Sequence, residues 1–323
     1  MTPVLFSCVG ENRPDWFAKM ENLVLSIRRF GGTLAQSSVV VNVVTGAEAS
    51  FVRDMERLEA EVRVVEPVDR RRSTSNKLRM FELAENHDFD VLVAIDCDIV
   101  VMGDLAEEIR LDRLRAVPAG RDILAEETWR RLYKLLDVDL PAKTCTMVVS
   151  GQQTYPYFNS GVLFTPRRLC APLREHWGRH LDWLLGPGLA ELGLERLRKD
   201  QIPLSAALAT AGLEIDPLPV NCNLSVTAAR LAKACRQQWG PPFLLHYHHQ
   251  INGDGFLLPS PNRRINGYLD EFNRARSQHL GLAYPGLGAV PLRRRVSALL
   301  KDKPGYDWIR SRTRRAALPV GRR

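Results

Sequence analysis

Two hydrophobic periods take turns along the chain. Val4 to Val9 is a short apolar run of strand composition. Trp16, Phe17, Met20, Leu23, Val24 and Ile27 then recur at spacings of three and four, which predicts a helix with one apolar face ended by Gly31 and Gly32. Val39 to Val44 predicts a second strand, Ala47 to Glu61 a helix, and Val62 to Glu66 a third strand. A charged loop, Asp69 to Ser75, leads into a helix over Asn76 to Glu85. Val91 to Ile95 is apolar, β-branched and without alternation, so it predicts a strand buried on both faces. Further strands are expected at Ala116 to Ala119, Tyr157 to Thr165 and Phe243 to Tyr247. Helices are expected over Ile123 to Leu136, Arg167 to Leu185 and Gln201 to Ala211, and residues 139–153 carry no regular pattern. Strands alternating with helices predict right-handed crossovers and a largely parallel α/β sheet. Ligands of such sheets sit beyond the carboxyl ends of the strands.

One strand ends in chemistry. The run VLVAIDCDIVV, Val91 to Val101, passes abruptly into Asp96, Cys97 and Asp98. Carboxylates at i and i+2 share a side of an extended chain. At the edge of a core they repel unless a cation lies between them, and oxygen ligands favour a hard divalent ion such as Mg²⁺ or Mn²⁺. The plain alternative is one turn-capping Asp beside a solvated one. No G-x-G-x-x-G follows the first strand and no P-loop occurs, which disfavours dinucleotide and Walker-type sites. Gly10, Glu11 and Asn12 at the first turn suit either a plain loop or contact with a base or ribose. Asn159, Ser160 and Gly161 interrupt an apolar strand, the mark of a bulge or of close backbone approach.

Composition narrows the class. Hydrophobic content of 45% with 25% charged residues is that of a globular chain, and no apolar run reaches 18 residues. Met1 to Gly10 has neither a basic start nor a long apolar segment, so it reads as a first strand and not a secretion signal. The six cysteines form no CxxC pair, and a reducing, cytosolic setting is expected. Net charge is +8, yet residues 293–323 hold 11 Lys or Arg against Asp302 and Asp307. The rest of the chain is therefore close to neutral, and a specific nucleic-acid surface is not indicated. The division expected is a catalytic domain over 1–285 and a basic, amphipathic helical tail over 286–323. Val296, Leu299, Leu300, Trp308, Ile309 and Leu318 alternate there with the basic residues, which suits an anionic membrane surface on the cytosolic side, with RNA or another polyanionic partner, or a merely solvated tail, as the alternatives.

Four motifs in order carry a family resemblance. The segment from Lys77 to Leu105, the run YFNSGVLF, the run KDQIPLSAAL and the run LLHYHH resemble glycosyltransferase family 8, which includes glycogenin and bacterial lipopolysaccharide galactosyl- and glucosyltransferases. The resemblance spans about residue 4 to residue 250. It implies a GT-A fold, a nucleotide-sugar donor (usually a UDP-sugar), Mn²⁺ or Mg²⁺, and a glycan or glycolipid acceptor. Carried over position by position, it implies metal ligation by Asp96, Asp98 and His246, with His248 and His249 as rivals. It implies that Lys77 reaches the donor phosphate or sugar, with Asn76 and Arg79 as weaker neighbours. Asn159, Asp200 and Gln201 would hydrogen-bond sugar hydroxyls, and Gly161 would let the strand approach the sugar. Arg70, Arg71 and Arg72 would steer the anionic donor or simply be solvated. Asp200 at a helix start also suits an N-cap, and a His ending an apolar strand also suits a loop. The family retains anomeric configuration, and no carboxylate stands out as a nucleophile. Front-face displacement is thus expected, with Asp200 and Gln201 at the reacting sugar.

The chain departs from the family after its late His. His248 to Gly253 contains no Lys, where the family places one on the diphosphate. Two rivals from other classes remain: a haloacid-dehalogenase-type phosphatase, which also uses Asp-X-Asp after a strand, and a non-catalytic nucleotide-sugar-binding protein.

Overall fold

The computed structural model describes residues 2–83, 87–121, 123–194, 200–227 and 240–287. In chain order these hold β1 (Val4–Glu11), α1 (Pro14–Phe30), β2 (Ser38–Val44), α2 (Ala49–Arg57), β3 (Glu61–Val65), β4 (Val91–Ile95), β5 (Ile99–Val101), β6 (Leu114–Pro118) and α3 (Glu126–Leu135). A two-stranded hairpin follows, β7 (Cys145–Thr146) with β8 (Gln153–Thr154), then β9 (Phe158–Pro166), α4 (Arg167–Leu185), α5 (Gly188–Glu191) and α6 (Gln201–Thr210). The last elements are β10 (Ile215–Pro217), β11 (Leu224–Ser225), β12 (Leu244–His246) and α7 (Asn266–Leu280).

Among the described residues, the main sheet has seven strands in the order β10-β6-β9-β4-β1-β2-β3. β4 is its middle strand, as its unbroken apolar composition demands: all five residues are buried. β1, β2, β3 and β4 run parallel, β9 runs antiparallel between β4 and β6, and β10 pairs parallel with β6. Alternate β4 side chains enter opposite cores. Val91, Val93 and Ile95 pack with Phe17, Met20, Leu23 and Val24 of α1, whereas Leu92 and Ala94 pack with Cys170, Leu173 and Trp177 of α4 and Leu204 and Ala207 of α6. Each of these large aliphatic side chains is worth about 1.5–3 kcal/mol by burial. The expected sheet, largely parallel with helices on both faces, is the one observed.

A second, three-stranded sheet, β11-β12-β5, grows from the end of β4. The apolar run from Val91 to Val101 is thus two strands: it breaks at Asp96 to Asp98, and Ile99–Val101 leaves for the smaller sheet. The helix expected over Asn76 to Glu85 is instead a stretch of 3₁₀ turns, Ser73–Phe81, and residues 84–86 lie outside the described ones. Its polar side chains bond to nearby backbone, a competition that disfavours α-helix. Ser75 Oγ donates to the Arg72 carbonyl at 2.6 Å, and Asn76 Oδ1 accepts from the Val68 N–H at 2.9 Å. The strand expected at Ala116 to Ala119 begins two residues earlier, at Leu114. β10 and β11 are too short to show a period, and α7 was not foreseen.

α7 ends at Gly281 in the left-handed conformation. It docks on α1 through Arg276, which is 3% exposed and donates to Asn22 Oδ1 at 2.6 Å and Glu21 Oε2 at 2.9 Å. Packing on α7 continues to Leu287, whose N–H donates to Asp270. Most of the basic tail, residues 288–323, lies outside the described residues, as does Cys235. The other five cysteines are buried and unbridged. No described helix is long and apolar enough to cross a membrane.

Candidate active site

At the end of β4 the main chain is clamped from both sides. The Asp96 N–H donates to the Gly161 carbonyl of β9 at 2.8 Å, and the Tyr247 N–H donates to the Asp98 carbonyl at 3.0 Å. Asp96 is thereby tied to the large sheet and Asp98 to the small one, where β12 pairs antiparallel with β5. Both carboxylates line a cavity of about 390 Å³. Lys77, Asp200, Gln201, His246, His248 and His249 line it as well, so the structure gathers most residues singled out from the sequence.

Lys77 sits in the 3₁₀ stretch, and its side chain is 12% exposed. Its Nζ lies 2.9 Å from Asp96 Oδ1 and 3.0 Å from Asp200 Oδ2, and it donates to Asp96 Oδ2 at 3.0 Å and to Ser160 Oγ at 3.2 Å. Ser160 Oγ in turn donates to Asp200 Oδ2 at 2.7 Å. Asp200 makes no side-chain capping bond to α6, so the N-cap alternative is not what its carboxylate does. Burial acts to raise the Asp200 pKa, but Lys77 and Ser160 outweigh it and hold the carboxyl below its ordinary range. At Asp96 burial wins: with Asp98 adding repulsion, the net shift is upward despite Lys77.

Asp98 has different partners. His246 Nε2 lies 3.0 Å from Asp98 Oδ1, while His246 Nδ1 meets Asn223 Oδ1 at 3.0 Å. The amide oxygen accepts the Nδ1 proton and aims Nε2 at the carboxylate. The His248 ring lies tilted against that of His246 with centroids 3.9 Å apart, and its Nε2 meets Ser225 Oγ at 3.1 Å. Burial acts to raise the Asp98 pKa, yet His246 and His248 bring it well below the ordinary range. Each of Asp98, His246 and His248 offers one ligand atom within 4.8 Å of the others.

Gly161 stands where these groups meet. A Cβ there would fall 2.8 Å from Asp96 Oδ2, 2.9 Å from Asn159 Oδ1 and 3.2 Å from His246 Cε1. Asn159 does not line the cavity; its Oδ1 accepts the Gly161 N–H at 2.7 Å and shapes the strand. Of the arginines, Arg72 borders the cavity, whereas Arg71 pairs with Asp69 and Asp182, and Arg79 with Glu82 and the Glu66 carbonyl. Asn76 donates to Glu11 Oε1 at 3.1 Å and fixes that wall. Asp104 is structural: it accepts the N–H groups of Thr33 and Ala106. Trp16 and Ser160 were given no side-chain role at the site from the sequence, and Asn223 and Ser225 were not singled out. Ser160 and Trp16 carried signals, inside the Asn-Ser-Gly triplet and on the α1 face, but Asn223 and Ser225 lie in a short segment with no pattern.

The family model described as the Rhodobacterales glycosyltransferase domain matches residues 21–212, more than half of the chain, and the chain belongs to that family. It is a glycosyltransferase of GT-A fold, similar to family 8, as the motifs led one to expect. No curated protein sequence matches it. Among solved structures, the galactosyltransferase LgtC in complex with donor and acceptor sugar analogs is 15% identical. The likeness covers 90% of this chain and 99% of that one, with a TM-score of 0.53. An active-site mutant of LgtC gives 14% identity and a TM-score of 0.55 over the same shares. The glycosyltransferase GlyE of Streptococcus pneumoniae TIGR4 gives 14% and 0.53, covering 87% of this chain and 64% of that one. At these identities the likeness establishes the fold. The phosphatase reading gains nothing from the family or the fold.

Proposed function

We propose that the enzyme transfers a hexose from a nucleotide-diphosphate sugar, a UDP-sugar, to a hydroxyl of a glycan or glycolipid with retention of configuration. The observation that carries this is the pairing, in one cavity, of a lysine-bridged carboxylate pair with a carboxylate–imidazole cluster. A carboxylate beside an imidazole oriented by an amide is a donor set suited to a divalent cation. Asp98 and His246 would hold that cation, Mn²⁺ or Mg²⁺, which when bound would offset the charge growing on the departing diphosphate.

The remaining work belongs to the chain. Asp200, Ser160 and Lys77 offer acceptors and donors to sugar hydroxyls in an arrangement already set by their mutual bonds, which lowers the cost of orienting the donor. Glu11 and Trp16 offer a carboxylate and an aromatic face to the nucleoside. The bond from the anomeric carbon to phosphate oxygen breaks, and the bond to the acceptor oxygen forms on the same face. The acceptor proton passes to the leaving phosphate. Gln201, first residue of α6, presents its amide to the positive charge on the sugar. The Lys77 pairing of Asp96 and Asp200 supports this route over a covalent one, because a nucleophilic carboxylate would have to leave the lysine first.

A panel of UDP- and GDP-hexoses tests this. The expected result is UDP release from one of them, lost on EDTA treatment and restored by Mn²⁺. Phosphate release from p-nitrophenyl phosphate without nucleotide release would overturn it, and so would tight UDP binding without turnover of any donor.

A further inference from the structure

We propose that a second cavity, between α6 and the edge strand β10, seats a neutral apolar chain carried by the acceptor. The proposal deepens the proposed function and rests on it for there being a sugar acceptor.

This cavity has a volume of about 730 Å³, against about 390 Å³ for the catalytic one. Pockets of that size, largely apolar with a few polar groups, are the usual seats of small organic ligands. Tyr133 of α3 and the loop that follows it form one wall. Leu208 and Ala209 of α6 form another, Ile215 and Pro217 of β10 a third, and Phe158 of β9 closes the end.

The two cavities adjoin. Gln201, Ser205 and Ala209 follow one another at the helical spacing of four, on one face of α6. Gln201 lines the catalytic cavity, whereas Ser205 and Ala209 line the second. On β9 the change takes two residues, from Ser160 in the first to Phe158 in the second. Ser205 Oγ donates to the Gln201 carbonyl at 3.2 Å, so its proton is already engaged at the junction. One turn of helix is about 5.4 Å, a gap that one sugar ring bridges. An acceptor sugar with its hydroxyl at Gln201 therefore delivers whatever it is attached to into the second cavity.

Charge and polarity define that attachment. Asp139, Glu214 and Asp216 are the charged residues of the lining, and no Lys, Arg or His joins them there. Arg113 meets Asp216 at 3.4 Å, while Asp139 and Glu214 have no ion pair among the described residues. A cleft lined by one sign of charge repels that sign, so phosphate-bearing groups are turned away. A peptide would bring backbone N–H and C=O groups that need partners, and the apolar walls offer few. A neutral hydrocarbon chain brings none.

Paired methyl and octyl β-glucosides, β-galactosides and β-lactosides test this on the full chain. Calorimetry reads binding, and UDP release reads transfer. Each buried methylene should tighten binding about 4-fold, so octyl should exceed methyl by at least about 100-fold. Half-buried Ala209→Phe fills the cavity and should cut that ratio below about 10-fold. Ala142→Trp, on the exposed loop, should do the same and serves if Ala209→Phe melts early. Octanol should compete with the octyl chain, and octanoate should not. For a glycoside that accepts sugar, KM should follow the binding ratio with kcat within about 3-fold, because the chain binds ground and transition states alike. Equal affinities or equal KM values for octyl and methyl partners would overturn the inference, and so would a preference surviving in both variants. A preference that appears only after removal of residues 288–323 would give the cavity to the chain's own tail and overturn it too. Octyl binding lost in both variants, with no UDP release from any donor, would uphold the apolar site and sink the proposed function.

Discussion

The two halves of the cavity use the same starting material differently. Asp96 and Asp98 are two residues apart, in one loop, with one cysteine between them. Asp96 belongs to the seven-stranded sheet, where Lys77 supplies a built-in cation and Asp200 and Ser160 complete the bonds. Asp98 belongs to the three-stranded sheet, where imidazoles backed by Asn223 and Ser225 face it. Their pKa shifts diverge accordingly: burial carries Asp96 up, while His246 and His248 carry Asp98 down. A motif spacing therefore does not assign equal roles. The sheet that each carboxylate joins decides whether it meets a fixed ammonium or a pair of imidazoles.

The comparison breaks most sharply at the residue between the halves. Gly161→Ala should push Asp96 and His246 apart, since the added carbon would sit 2.8 Å and 3.2 Å from their atoms. Misplacement by about 1 Å costs transfer about 100-fold. Nucleotide release measured beside thermal melting checks this: activity within about 3-fold of wild type would show that the strand can back away. The smallest effect lies outside both halves and separates the pH response of the fold from that of the site. His180, buried on α4, meets Thr210 Oγ1 at 2.7 Å. Burial, aided by His176 and Arg179, brings its pKa down from 6.5 to about 4. The unfolded chain takes up this proton near 6.5 and the folded chain only near 4. Stability should therefore be full above 6.5 and fall as pH drops towards 4, by up to about 3 kcal/mol. His180→Gln should flatten that slope in urea melts, and an unchanged slope would remove His180 as its source.

Much of the main sheet was legible because it is made of runs that show a period. Val91 to Ile95 is apolar on both faces, and the structure puts it in the middle of seven strands. The second sheet was not legible, because its strands have two or three residues and rest on pairing between distant segments. α7 escaped notice although it is long: its apolar face is thin, and polar contacts such as Arg276 with Asn22 anchor it to α1. At the site, Asp96, Asp98, Lys77, Asp200 and His246 stood out by type and order. Which of them touch one another was not readable, because Lys77 reaches Asp96 across 19 residues of chain and Asp200 across far more. Asn223 and Ser225 act through single hydrogen bonds that no local pattern announces.

One paired measurement tests the division of labour between the two halves of the cavity. Mn²⁺ affinity and nucleotide-sugar turnover are read on Asp98→Asn and on Asp200→Asn. Asp98→Asn should lose both, whereas Asp200→Asn should keep Mn²⁺ affinity within about 3-fold and lose turnover by about 100-fold or more, the scale of an unpaired polar contact at the reacting sugar. Loss of Mn²⁺ affinity in Asp200→Asn equal to that in Asp98→Asn would show one undivided site and contradict the account.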